Sequence, residues 1–193
     1  MNFLAHLWLA DRTGTSLAGS VLGDVVRGAE LGAYPAEIAL GVRLHRRVDA
    51  LTDRHPLTQA LRAGFPTTTR RYAGIVLDLA ADYALARDWA RHADEPLPAF
   101  AARAGAAIAA AAPWFELAGG RRSSAQGFSA LLLSYGEAAG IDRAVQRTAQ
   151  RLREPQALLG AASGWREQVP ALQAALPALL ADLRTGMQTE ALR

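Results

Sequence analysis

The stretch TRRYAGIVLDLAADYALARDWARH at residues 69–92 contains no proline, and its apolar residues recur every three or four positions. This spacing predicts one long helix over 69–92. Asp78 and Asp82 lie about 40° apart on that helix, on a face that they share with Ile75, Leu85 and Trp89. The stretch therefore predicts a helical protein in which two carboxylates interrupt an apolar face.

Helical periodicity continues through the rest of the chain, and no segment alternates in the manner of a strand. We expect an all-α, single-domain helical bundle over residues 1–193. Caps, glycines and prolines place the other helices at about 2–9, 16–27, 35–54, 57–63, 97–111, 124–138, 141–153 and 155–184, with Pro170 and Pro177 as breaks or kinks in the last.

Polar chemistry concentrates in the first half of the chain. All four histidines and eight of the ten aspartates precede residue 95. We therefore expect a polar cluster from residues 1–95, with residues 96–193 forming a helical wall and core.

The composition of the 193 residues narrows the class of protein. Hydrophobic residues make up 51% and charged residues 20%, which is typical of a folded domain. The absence of cysteine excludes disulfides and thiolate zinc sites. Residues 1–10 lack a basic segment and a cleavage site, and the most apolar later stretch is shorter than a bilayer span. We expect a cytoplasmic protein without membrane insertion.

The carboxylates of Asp78 and Asp82 need a partner, because isolated charges are costly to bury. Nearby arginines, solvent at the edge of the helix, or a metal ion would each provide one. His45 and Asp49 form a similar pair, one turn apart on the predicted helix 35–54, and an imidazole and a carboxylate together suit Mn, Fe or Zn. The alternative for this pair is a hydrogen bond inside the core.

Two such pairs on two helices favour one shared polar cluster. Asp24 and His6 are candidates to complete it, although Asp24 also has Arg27 within reach and a lone histidine in an apolar segment is commonly a core residue. His55, which precedes Pro56, is by default a turn residue.

A basic stripe lies on the other side of helix 35–54. Arg43, Arg47 and Arg54 fall within about 40° of one another, opposite His45, and Arg46 lies between the two faces. All 21 basic residues are arginine and the net charge is +3. The stripe suits an acidic protein or a phosphate ester, unless it is only a solvated surface. No aromatic platform or zinc-finger spacing supports nucleic acid binding.

Several ordered blocks resemble the bacterial acyl carrier protein phosphodiesterases, mainly over residues 1–100. They are MNFLAHL at 1–7, GDVVRG at 23–28, LHRRVDALTDRHP at 44–56, RRYAGIVLD at 70–78 and LARDW at 85–89. The resemblance implies an all-helical fold distantly related to the HD-type hydrolases. It also implies a manganese-dependent hydrolase, with magnesium or iron as alternatives, that removes 4′-phosphopantetheine from the serine of holo-acyl carrier protein.

The same resemblance suggests a role for each candidate residue. Asp24, His45, Asp49, Asp78 and Asp82 would hold the metal. Arg46 would hold the phosphate, and His6 or His55 would protonate the departing serine oxygen. The acidic carrier protein would be bound by arginines, namely Arg43, Arg47, Arg70 and Arg71.

The chain departs from the family pattern at two positions. Trp8 and Tyr83 stand where the family typically has histidine. These changes leave two alternatives open: a catalytically impaired relative that binds carrier protein, or a phosphohydrolase of a small phosphoester or nucleotide.

Overall fold

The computed structural model describes the backbone of residues 1–191 and the side chains of residues 1–187. Its described backbone contains helices and turns and no strand, which confirms the all-α class. The helices are α1 (Phe3–Arg12), α2 (Leu17–Leu22), α3 (Ala36–Arg54), α4 (Pro56–Ala63), α5 (Ala73–Arg87), α6 (Leu97–Ala110), α7 (Ala112–Leu117), α8 (Ala125–Ser134), α9 (Ala138–Ala149), α10 (Pro155–Ala162) and α11 (Val169–Ala191). No helix in this part of the chain is both long enough and apolar enough to span a bilayer.

Local chemistry explains several helix ends. The hydroxyl of Ser16 accepts a hydrogen bond from the Gly19 amide at 3.0 Å and caps α2. Pro56 begins α4, where its missing N–H is not needed, and forces the preceding His55 into an extended conformation that ends α3.

Three predicted segments differ most from the structure, and the ends of α1, α8 and α9 lie up to four residues from their predicted positions. Helix 16–27 ends at Leu22, and the turn that follows carries Asp24. Segment 69–92 is a 3₁₀ turn, then α5, then a second 3₁₀ turn. Segment 155–184 divides into α10, a 3₁₀ turn at Trp165–Gln168 and α11, where Pro170 lies in the first turn and only Pro177 is internal. The short α7 was not predicted, because Pro113 indicates a break as readily as a first helical turn.

The helices of the first half pack closely enough to bring polar side chains together. α2 and α3 cross at Gly19 and Gly41, where a Cβ on Gly19 would lie 2.7 Å from the carbonyl oxygen of Ile38. α1 packs against α2 and α5, and α11 covers α5 and α3. The polar faces of α1, α3 and α5 therefore meet at one place.

Candidate metal centre

Three side chains from α1 and α3 form the centre of the polar cluster. Among the described residues, His6, His45 and Asp49 each offer a ligand atom within 4.8 Å of the others. The His6 Nε2 lies 3.0 Å from Asp49 Oδ1, and the His45 Nε2 lies 3.2 Å from Asp49 Oδ2. We call these three residues the His-His-Asp centre.

Both imidazoles are held in fixed orientations. The His45 Nδ1 lies 2.6 Å from the carbonyl oxygen of Ser20, so Nδ1 carries the proton and Nε2 faces Asp49. A Cβ at Gly23 would lie 2.3 Å from the ring of His45, so only glycine leaves room for it. The ring of His6 stacks on that of His45 with centroids 3.9 Å apart. A fixed ring whose second nitrogen donates to a carbonyl is typical of metal-binding histidines, and a metal bound at the His45 Nε2 would replace the proton that this nitrogen carries at neutral pH.

The two histidines have pKa values shifted in opposite directions. Burial lowers the pKa of His6 to about 4, against the opposing effect of its hydrogen bond to Asp49. Burial also disfavours protonated His45, but the carboxylates of Asp24 and Asp49 outweigh it and raise the pKa of His45 to about 9. Without a metal, His45 therefore carries the positive charge of the stacked pair at neutral pH.

Three partly exposed carboxylates surround these rings. Asp49 is 44% exposed, and its contacts with His45 and His6 outweigh its burial and hold its pKa below the usual range. Asp24, in the turn after α2, has an Oδ1 3.5 Å from the His45 Nε2. Asp78 on α5 has an Oδ1 3.2 Å from the amino group of Met1, which also lies 3.4 Å from Asp49. Burial raises the pKa of Asp78 against the opposing effect of that ammonium.

Asp82 lies apart from this group. It is fully buried, and its two oxygens accept hydrogen bonds from the backbone amides of Leu4 and Ala5 at 2.8 and 3.0 Å. Burial raises the pKa of Asp82 to about 7, opposed by these two bonds. The structure thus uses both oxygens of this expected ligand to hold the first turn of α1.

The donor set fits a divalent ion. Two imidazole nitrogens and a carboxylate converge, two further carboxylates lie beside them, and this combination suits Mn, Fe or Zn. The ammonium of Met1 and the protonated His45 occupy the region where a cation is favoured. The centre is compatible with a divalent metal.

The remaining predicted site residues include Arg46 and the arginines of the stripe on α3. Arg46 is half-buried and donates to the carbonyl of Val26 at 3.1 Å, in the loop that follows Asp24. Arg43 and Arg54 are exposed and Arg47 is half-buried, as expected for a stripe on the outer face of α3.

Three other predicted residues make structural contacts instead. His55 accepts from the Leu57 amide at its Nδ1, and its Nε2 lies 3.3 Å from Asp182, so both ring nitrogens are engaged between α4 and α11. Arg70 donates to the carbonyls of Ala63 and Phe65. Arg71 pairs with Glu154, and this pairing explains its position beside α10.

Trp8 and Tyr83, the two departures from the family pattern, both contact residues outside the centre. The indole of Trp8 donates to the carbonyl of His92 at 3.1 Å. The ring of Tyr83 packs edge-on against Trp165 with centroids 5.0 Å apart. Neither aromatic replaces a member of the His-His-Asp centre.

Sequence reasoning missed the parts of the site that come from the backbone. The Ser20 carbonyl and the space above Gly23 orient His45, and the amides of Leu4 and Ala5 bind Asp82. The Gly23-Asp24 pair was the available signal, because a glycine beside a candidate ligand indicates close packing.

Comparisons with known proteins agree with the sequence blocks. The sequence model of the family "Acyl carrier protein phosphodiesterase" matches residues 1–183. A relative of that name from Enterobacter sp. (strain 638) is 44% identical over 114 residues, which cover 58% of this chain and 59% of the relative. One from Yersinia pestis is 49% identical over 89 residues, 46% of each protein. The chain thus matches less than two thirds of the length of these curated relatives.

No solved structure matches the chain. The expected relation to the HD-type phosphohydrolases therefore stays a prediction.

Proposed function

The chain belongs to the acyl carrier protein phosphodiesterase family, and we propose that it hydrolyses the bond between 4′-phosphopantetheine and serine in holo-acyl carrier protein. The observation that carries this proposal is the His-His-Asp centre, with ligand atoms within 4.8 Å of one another on two packed helices. The reaction adds water across the phosphodiester, and the products are apo-acyl carrier protein and free phosphopantetheine.

The residues proposed to hold the metal are His6, His45 and Asp49, with Asp24 and Asp78 as neighbouring carboxylates. A divalent ion bound there, for which manganese is our first choice and magnesium or iron the alternatives, supplies positive charge to the phosphate and a more acidic water. Asp82 acts indirectly, because it fixes the first turn of α1 and with it the position of His6.

Arg46 is proposed to bind the phosphate oxygens. Its guanidinium already donates one hydrogen bond to Val26 beside Asp24, which leaves other N–H groups for an anion at the edge of the centre. His6 belongs to the proposed ligand set and is therefore not free to transfer a proton to the serine oxygen. His55 is also unsuited to that step, since its ring nitrogens contact Leu57 and Asp182.

The acidic carrier protein is proposed to bind along the outer face of α3. Arg43 and Arg54 are exposed there, and Arg47 lies between them. Opposite charges on two surfaces accelerate association, and salt weakens this effect. Changing Arg47 and Arg54 to Glu should weaken carrier-protein binding at low salt and reduce its salt dependence. Affinity equal to that of the unmodified chain at low salt would contradict this docking face.

The proposed reaction is tested by intact-mass measurement of holo-acyl carrier protein incubated with the purified protein and Mn²⁺. We expect the carrier protein to lose the mass of phosphopantetheine. The His45→Ala variant should leave the mass unchanged and bind less metal, whereas His92→Ala, a matched control outside the centre, should act like the unmodified chain. Carrier-protein binding without any mass change would instead indicate a binding module.

A further inference from the structure

A surface pocket lies between the loop at residues 25–35 and the outer face of α3. Its volume is about 490 Å³, within the range typical of small-ligand sites. The walls combine small apolar side chains, one aromatic ring and two guanidinium groups: Ala29, Leu31, Gly32, Tyr34, Ala36, Ala39, Arg43 and Arg46. Arg43 makes no hydrogen bond or ion pair with the described residues and remains available to a ligand.

The pocket adjoins the proposed metal centre through Arg46. On α3, Arg46 lies about 60° from Asp49 and about 60° from Arg43, so it separates the centre from the pocket. The loop at residues 25–35 also runs from the centre towards the pocket. It places Asp24 beside His45, then Val26 against the guanidinium of Arg46, and then Ala29 and Leu31 in the pocket wall. A phosphate bound by Arg46 would thus have the centre on one side and the pocket on the other.

The lining matches the chemistry of a pantetheine chain. That chain is neutral and flexible, with a gem-dimethyl group, a hydroxyl, two amides and a terminal sulfur. Leu31 and the alanines offer apolar contact to the methyl groups. Arg43 and the Tyr34 hydroxyl offer hydrogen-bond donors to the amide oxygens.

We propose that this pocket binds the pantetheine arm of the substrate while Arg46 holds its phosphate beside the His-His-Asp centre. The inference rests on the proposed function and adds a specificity site to it: the pocket, which includes Arg43, recognises the prosthetic group, and the part of the outer face beyond it, at Arg47 and Arg54, recognises the carrier protein. A pocket of this volume accommodates an extended arm.

The test measures binding of free 4′-phosphopantetheine by calorimetry, with the full chain kept metal-free by a chelator. Ala36 is exposed and lines the pocket, so Ala36→Trp fills the pocket without entering the core. We expect this variant to bind phosphopantetheine about tenfold more weakly or worse. Ala33→Trp is the matched control, because Ala33 is exposed in the same loop but does not line the pocket, and its affinity should equal that of the unmodified chain.

Two arginine variants separate the contribution of the pantetheine arm to binding from that of the phosphate. Arg43→Gln should weaken binding of both phosphopantetheine and pantetheine, because Arg43 contacts the arm. Arg46→Gln should weaken only the binding of phosphopantetheine, because Arg46 contacts the phosphate. Thermal melts check that each variant is folded. Equal phosphopantetheine affinity in the folded Ala36→Trp variant and the unmodified chain would overturn the inference, as would tighter binding of coenzyme A, whose nucleotide would then be the preferred group.

Failure of this inference is distinguishable from failure of the proposed function. Release of phosphopantetheine from holo-acyl carrier protein at an unchanged KM in Ala36→Trp would refute the pocket and leave the phosphodiesterase activity intact. Phosphopantetheine binding that Ala36→Trp abolishes, without any hydrolysis by the unmodified chain, would support the pocket and refute the activity.

Discussion

Asp49, a member of the His-His-Asp centre, and Asp82, which is buried apart from it, have opposite environments. Asp49, at the rim, is 44% exposed and bridges two imidazoles, which together hold its pKa below the usual range. Asp82, at the floor, is fully buried against two backbone amides, and its pKa is raised to about 7. The difference shows that a carboxylate in an apolar helix face contacts either titratable side chains, the arrangement that we propose for metal binding, or backbone amides, the arrangement that positions a helix.

The largest expected effect is on folding, at the floor. Asp82→Ala leaves the buried amides of Leu4 and Ala5 without acceptors, and each such loss costs about 1–3 kcal/mol. We expect the free energy of unfolding, measured by urea denaturation, to fall by about 3–5 kcal/mol. Asp82→Asn retains one acceptor oxygen and should lose less. A loss below about 1 kcal/mol for the alanine variant would show that these bonds do not hold α1 in place.

The second effect is on metal binding, at the rim. Asp49→Asn preserves the shape of a half-exposed side chain but removes the charge that both histidines face. We expect Mn²⁺ affinity to fall by about a hundredfold or more, which exceeds the usual cost of losing a residue that only contacts a ligand. The free energy of unfolding of the metal-free protein should also fall by about 1–3 kcal/mol, because protonated His45 loses one of its two carboxylate partners. Asp53→Asn is the control: Asp53 is exposed on the same helix and pairs with Arg62 at 2.8 Å. Unchanged metal affinity in Asp49→Asn would remove Asp49 from the ligand set.

These two aspartates also show how far the sequence can be interpreted. Helical periodicity correctly placed Asp78 and Asp82 on one face of a helix, and it placed His45 and Asp49 one turn apart. Periodicity could not distinguish a candidate metal ligand from a carboxylate that anchors a helix, because Asp82 accepts hydrogen bonds from amides 77 and 78 residues away in sequence. That partnership depends on how α1 packs against α5, and side-chain spacing within either helix carries no information about it.

The fold shows the same limit: local features were predictable, and contacts between distant residues were not. Helical periodicity gave the all-α class, and the caps and prolines gave several helix starts, for example Ser16 at α2 and Pro56 at α4. The predicted end of α2 was several residues too late, because Asp24 and Val25 are compatible with a helix. The contact of Asp24 with His45 on α3 cannot be inferred from local sequence. His55 was similarly unpredictable as a link to α11, since its partner Asp182 is 127 residues away.

The third effect concerns the pH dependence of stability in chelator-treated protein. The folded pKa of His45 is raised above its unfolded value of 6.5 to about 9, so its contribution is fully present below pH 6.5 and is lost as the pH rises towards 9. Denaturant titrations should show a loss of about 2–3 kcal/mol over this window. His45→Gln should flatten the profile there. An equally steep loss in that variant would assign the dependence to another group.

Below this window, the buried groups Asp82 and His6 have opposite effects on the pH dependence of stability. The raised pKa of Asp82 makes stability fall with pH between about 4 and 7, whereas the lowered pKa of His6 makes it rise between about 4 and 6.5. The two slopes largely cancel in the unmodified chain. His6→Gln should therefore reveal the falling slope of Asp82.

The smallest effect is expected outside both regions, at the two positions where the family typically has histidine. Tyr83→His removes an edge-on contact with Trp165, worth about 1 kcal/mol, and places no new ligand in the centre. Mn²⁺ affinity should stay within about threefold of the unmodified chain, below the tenfold that 1.4 kcal/mol represents. Trp8→His should likewise leave Mn²⁺ affinity nearly unchanged. Loss of the indole hydrogen bond to His92 will lower the stability of this variant further. A tenfold gain in metal affinity from either histidine would show that the ligand set extends beyond His6, His45 and Asp49, and that this chain had lost part of it. Unchanged affinity would mean that the substitutions altered the packing of α1 and α5 while the rim kept its chemistry.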